Sequence, residues 1–179
     1  MTIALTRPTI DLFDSWAAAV AEFDGGHVDG AGLEQGVVPD RAACEAFIAM
    51  AELYATPGAA LPDDRVPCDH FWITEGDQVV GFIAFRRELN DYLRRFGGHI
   101  GYSVIPTRRR EGIAREALRL LLRRAKADGY DRVMLTCDDD NTGSIRTIEG
   151  AGGELDGVVD ASQAGAPRVR QYWIELPQS

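Results

Sequence analysis

"PTRRREGIAREAL", residues 106–118, is the stretch on which the reading of this chain turns. Three consecutive arginines repel one another, yet they stand beside a glycine in a chain of formal net charge −9. Behind them Ile113, Ala117, Leu118, Leu121, Leu122 and Ala125 recur at helical spacing, and Gly129 ends the run. A strong amphipathic helix is therefore expected just past the arginines. Upstream, "HIGYSVI" (99–105) reads as a strand. Downstream, "RVMLTC" (132–137) is an almost unbroken apolar run, the pattern of a central strand covered on both faces. Strand, basic glycine turn, helix, strand is an anion-binding layout. The first amides of a helix lack an internal partner, and the helix dipole adds about half a positive charge there. Glycine lets the backbone approach an oxyanion closely, and arginine adds charge and paired donors. A merely solvated arginine run is the competing reading; the Gly112-x-Ala114 spacing behind a strand favours the anion.

Working outward, "TIALTRP" (2–8) is a short strand closed by Pro8, and residues 9–23 carry Leu12, Phe13, Trp16, Val20 and Phe23 at helical spacing. "DGGHVDGAGLEQG" (24–36) holds five glycines and is expected to be a mobile loop. Asp40 suits the N-cap of a second helix running through Glu52. A loop over 56–69 leads to "HFWIT" and "VVGFIAF", which flank the turn "EGDQ" and read as an antiparallel hairpin. "RRELNDYLRRFGG" is a polar connection, "NTGSIRTIEGAGG" a short helix capped by Asn141, and "RQYWIEL" (170–176) a closing strand. The order is mixed α/β, without internal repeats.

Composition narrows the classes. At 179 residues and 45% hydrophobic, the chain fills one core and is too short for two comfortable domains. No run approaches the ~18 apolar residues of a membrane span. "MTIALTRPTIDLF" lacks the layout of a targeting segment, so a cytoplasmic location is expected. Cys44, Cys68 and Cys137 are odd in number and dispersed, as are His27, His70 and His99, which speaks against a disulfide framework and against a metal site. "DDDN" (138–141) is read as a solvated loop and Cys137 as a small core residue. Residues 1–64 hold two basic side chains and 11 acidic ones; residues 65–179 hold 17 of each. The whole excess of negative charge thus lies in the first third, while eight of the 19 Lys and Arg fall between Arg108 and Lys126. Nucleic acid is a poor partner for this helix, because the chain is acidic (pI ≈ 4.8) and no aromatics are interleaved.

The loop is neither a P-loop nor the dinucleotide fingerprint Gly-x-Gly-x-x-Gly. Arg109-Arg110-Glu111-Gly112-Ile113-Ala114 instead fits [Arg/Gln]-x-x-Gly-x-[Gly/Ala], followed after the next strand by "NTGSIRTIE". Together these resemble the GNAT superfamily, the acyl-CoA-dependent N-acyltransferases. "LNDYLRRFGGHIGYSV", "LTCDDDN" and "RQYWIEL" are similar to one little-characterised branch of it. The resemblance covers about 66–176 and is architectural over 1–65, where such enzymes place part of the acceptor site. It implies one domain over 1–179, with a mostly antiparallel central sheet, a splayed parallel pair and flanking helices.

The same resemblance implies acetyl-CoA as acyl donor, with no metal. Backbone groups of Tyr102 and Val104 would pair with the pantetheine arm in a splay between the strands at 99–105 and 132–137. Amides of Arg110, Gly112, Ile113, Ala114 and Arg115 would cradle the pyrophosphate, with Arg109 at the loop's entry. Asn141 and Ser144 would meet the arm. Many members carry a tyrosine in the helix after the Asn, as acid for the departing thiolate; here that place falls on Ile148. An acceptor amine must lose a proton before attack, and His99, beside the cleft, and Glu88, the nearest upstream carboxylate, are the candidate bases. The expected acceptor is a small-molecule or peptide amine, cationic if the acidic first third faces it. The alternative is a CoA-binding sensor or partner module without catalysis. A homodimer is left open.

Overall fold

The computed structural model of the chain describes residues 2–160, 162 and 167–177. Seven strands form one sheet: β1 (Ile3–Thr6), β2 (Cys68–Glu75), β3 (Gln78–Arg86), β4 (Ile100–Val104), β5 (Arg132–Asp138), β6 (Gly153–Val159) and β7 (Val169–Glu175). Their order is β1-β2-β3-β4-β5-β7-β6, and every neighbouring pair is antiparallel except β4 with β5. The β2–β3 hairpin turns on Gly76, whose φ of 61° suits the first position of a two-residue hairpin loop. Helices α1 (Phe13–Ala21) and α2 (Arg41–Ala55) cover one face; α3 (Ile113–Ala127) and α4 (Thr142–Gly150) cover the other. This is the mixed α/β architecture expected from the sequence.

Each face has its own apolar layer. Under α1 and α2, Trp72 stacks between Trp16 and Phe47 at centroid distances of 6.2 and 6.3 Å. Under α3 lie its six periodic apolar residues, all buried against Ile83, Ile100 and Leu135. The reading of that helix as one buried stripe holds residue for residue.

Two elements depart from the reading. The closing strand β7 is not an edge: it lies between β5 and a further strand, β6, which the sequence does not announce. "GELDGVV" has two glycines and two acidic residues, and as an edge strand it needs no strong alternation. The connection 86–98 is not featureless either. Residues Leu93–Gly97 make one wide helical turn, started by Asn90 Oδ1, which accepts from Leu93 N at 2.9 Å.

On the same face of β2 as Phe71, Asp69 is almost fully buried, yet it receives Arg7 at 2.7 Å and Arg87 through two bonds of 2.9 Å. Burial alone would raise its pKa, but the hydrogen bonds from Arg87 and Arg7 outweigh burial and hold it below the usual value. Asp69→Asn should cost about 2 kcal/mol of unfolding free energy in denaturant titrations. That is less than the ~3–5 kcal/mol of a fully buried pair, because both guanidiniums reach water.

Candidate active site

Strands β4 and β5 run parallel but pair only at Ile100 with Leu135, and then diverge. His99 pins the apex. Its backbone N–H donates to Met134 O at 2.7 Å, and its ring Nδ1 accepts from Met134 N at 2.9 Å. Past the apex the register decides which groups face the gap. Arg86 N donates to His99 O and Ile105 N to Val80 O, so 99, 101, 103 and 105 form the hydrogen-bonded set toward β3. The N–H and C=O groups of Tyr102 and Val104 therefore point away from β3, into the splay.

The open end of the splay meets the start of α3. Helices α2 and α4 are capped by side chains: Asp40 accepts from Ala43 N at 2.8 Å and Asn141 from Ser144 N at 3.0 Å. By contrast α3 begins at Gly112, whose φ is 80°, with no side-chain cap, and its first internal bond is Glu116 N to Gly112 O. The amides of Ile113, Ala114 and Arg115 thus face outward. A Cβ built on Gly112 meets nothing within 4 Å, so the approach is open. Arg110, also left-handed at φ 65°, and Arg115 are exposed beside these amides. Arg109 turns its Nε to Val104 O at 3.3 Å, linking loop and splay. Arg108 stands apart from the other two arginines: it is held by Glu75 and Glu111, each at 2.8 Å.

On the α3/α4 side of the gap, Ser144 is half-buried and Ile148 is fully buried. Asn141 has spent its carbonyl oxygen on the cap, so the amide NH2 is the group it can offer. Cys137 on β5 is half-buried, and burial pushes its thiol up to about 11, which suits a packing residue rather than a nucleophile.

The opposite side of the gap is closed by the loop 24–36. Its middle is packed rather than loose: Ser103 Oγ donates to Asp29 O at 2.8 Å, and Val28, Gly30 and Ala31 are buried. Gly30, at φ 77°, lies so near β4 that a Cβ would sit 2.3 Å from Gly101 O; glycine is required there. Asp138, on the same face of β5 as Thr136, comes near Asp29, Asp140 and His27, and its pKa is raised by burial first and by Asp29 and Asp140 next. The sequence shows only a run of aspartates at 138–140; the tertiary approach of residues 24–36 is what brings Asp138 and Asp29 together.

The two candidate bases are placed differently. The His99 lone pair that a base would use is engaged by Met134 N, so Nε2 carries the proton, and burial depresses the ring to about 4. Glu88 is exposed beyond β3, next to Arg87, whose carbonyl accepts from Tyr130 Oη at 2.7 Å. Tyr130 precedes β5, so Glu88 lies at the end of the sheet opposite the splay. Among the described residues no cluster of His, Cys, Asp and Glu could hold a metal ion, and no helix is long and apolar enough to cross a membrane.

The same architecture recurs in solved structures. The Mycobacterium smegmatis RimJ in complex with CoA-disulfide is 20% identical, with a TM-score of 0.74 over 99% of this chain and 85% of that one. RimL, the ribosomal L7/L12 alpha-N-protein acetyltransferase in complex with coenzyme A, is 15% identical, with a TM-score of 0.73 over 99% and 97%. The microcin C7 self-immunity acetyltransferase MccE, in complex with acetyl-CoA and AMP, is 16% identical, with a TM-score of 0.71 over 97% and 92%. At such identities the likeness is one of fold. By sequence, the chain matches no curated protein. Residues 41–152, more than half of the chain, match the acetyltransferase (GNAT) family, and the protein belongs to that family.

Proposed function

We propose that the protein transfers the acetyl group of acetyl-CoA to a primary amine, by direct attack within a ternary complex. The observation that carries this reading is the splay, whose outward-facing backbone groups at Tyr102 and Val104 lead to the uncapped amides of α3. A pyrophosphate fits the amides of Gly112, Ile113, Ala114 and Arg115, with Arg109 and Arg110 adding charge. From there the pantetheine arm would run along β4 past Val104 and Tyr102 toward the apex, about 14 Å at ~3.4 Å per residue. Asn141 and Ser144 would flank it. As the amine nitrogen attacks, the thioester oxygen becomes an oxyanion, and an outward amide of β4 at the apex end of this path would stabilise it.

His99, in this account, holds the apex, and Glu88 takes no part. The acceptor enters between the loop 24–36 and β5, past Asp29, Asp138 and Asp140. These carboxylates attract a cationic amine and receive its proton through water. The acceptor is thus an amine carrying positive charge, on a small molecule or a peptide. Comparing kcat/KM over cationic, neutral and anionic amines at low and high salt tests this. Cationic amines should lead by at least tenfold at low salt, with the gap narrowing as salt rises. Turnover of anionic or neutral amines alone would remove the charge argument.

A further inference from the structure

The departing sulfur leaves with the electron pair of the broken C–S bond, and a hydrogen-bond donor must meet it. Ile148 offers none and is fully buried. Around the gap, Thr147 Oγ1 is committed to Gly143 O at 2.9 Å, and Met134 N is committed to His99. Asn141 and Ser144 sit along the arm, whereas Tyr102 offers a buried donor that makes no hydrogen bond. Its ring lies on the α3/α4 side of β4 in the same apolar layer as Ile100 and Val104, and its hydroxyl is buried beside Ser144, Thr147 and Cys137. Ser144 and Thr147 lie close to it, yet this buried hydroxyl makes no hydrogen bond. The backbone of the same residue opens into the splay. One residue thus offers both a strand edge for the arm and an unused donor at the closed end of the gap.

We infer that the Tyr102 hydroxyl is the acid that serves the leaving thiolate. The assignment rests on the acetyl-CoA reading above. In the step, the amine nitrogen bonds to the acetyl carbon, the C–S bond breaks, and the sulfur takes the Tyr102 proton. The proton lost by the amine returns to the phenolate through water, so the products are the amide and the free thiol. Burial pushes the Tyr102 hydroxyl up to about 12, which keeps it protonated and donating over the working range.

The test uses coenzyme A alone, so it needs no known acceptor. The ultraviolet absorbance of the bound thiolate is followed against pH in the wild-type protein and in Tyr102→Phe, which keeps the packed ring. Calorimetry should show CoA binding equal within about twofold, which also certifies the fold of the variant. The bound thiol of the variant should titrate at least one unit higher, a tenfold loss in thiolate stabilisation. Identical titrations with equal CoA binding would overturn the assignment of Tyr102. Failure of the wild-type protein to bind CoA would overturn the acetyl-CoA reading and this assignment with it. If Tyr102→Phe lost CoA binding, Tyr102→Leu would decide. Loss there too makes Tyr102 a packing residue and overturns the inference; retained binding with the raised thiol titration supports it.

Discussion

Gly112→Glu lowers the affinity for coenzyme A at least 100-fold and leaves the fold in place. The backbone at Gly112 is left-handed, and a Cβ built there meets no protein atom within 4 Å. The conformational cost to an L residue is about 1–2 kcal/mol. A carboxylate at a helix N-terminus recovers ~0.3–1 kcal/mol of that. The melting temperature should therefore fall by only about 2–4 °C. Ligand binding responds differently. The new carboxylate sits over the uncapped amides of Ile113, Ala114 and Arg115, where the pyrophosphate belongs. Two like charges ~4 Å apart near a protein surface repel by about 4 kcal/mol, more than the ~2.7 kcal/mol that a 100-fold loss requires. Gly112→Asn is neutral and tolerates a left-handed backbone, so it should lose much less. Calorimetry of CoA with the three proteins separates charge from strain, and equal affinities would remove the pyrophosphate from this loop.

The second large effect is acid destabilisation by two buried histidines. His70 lies beneath the loop 24–36, with its ring against Phe47 and Tyr54 and with Gly32 above it. His99 pins the apex. Burial is the main cause that depresses each to about 4 from an ordinary 6.5. The unfolded chain then binds more protons than the folded one between those values. Stability is full above pH 6.5 and falls as the pH drops toward 4. At pH 4.5 each histidine contributes a loss of about 2.5 kcal/mol relative to pH 7.5, so the pair removes roughly 5 kcal/mol. For a chain of this size that is about 10–20 °C in melting temperature. The sign discriminates, since a surface of net charge −9 would repel itself less as acid is added and drift the other way. His70→Gln should roughly halve the decline. A flat melting profile between pH 7.5 and 5 would contradict the buried, neutral state of both rings.

How much of this was readable beforehand follows from which forces are local. Helix α3 and its glycine turn were legible because the apolar stripe from Ile113 to Ala125 and the αL residue at its start are short-range requirements. Asp40 and Asn141 announced their caps for the same reason. The edge strand β6 was not legible, because one paired side and one solvated side demand little of Glu154, Asp156 or Gly157. Within the site, the backbone roles proposed for Tyr102 and Val104 came from the family resemblance of the loop and its flanking strands, which local sequence carries. Side-chain roles did not. That His99 would give its lone pair to Met134, and that the Tyr102 hydroxyl would stand unpartnered against α4, depends on contacts across 35 residues and more. The same holds for Arg108, which its sequence neighbours group with Arg109 and Arg110, but which Glu75 draws away from the loop mouth.

Thiol release from acetyl-CoA by the purified protein, measured across an amine library with each product weighed by mass spectrometry, tests the central claim most directly. Amine-dependent release, with one acetylated amine formed per thiol freed, is the result predicted by a splay that holds the thioester against an open acceptor mouth. Tight binding of CoA with no release above the uncatalysed rate for any amine would contradict it, and would leave the protein a cofactor-binding module on an acetyltransferase fold.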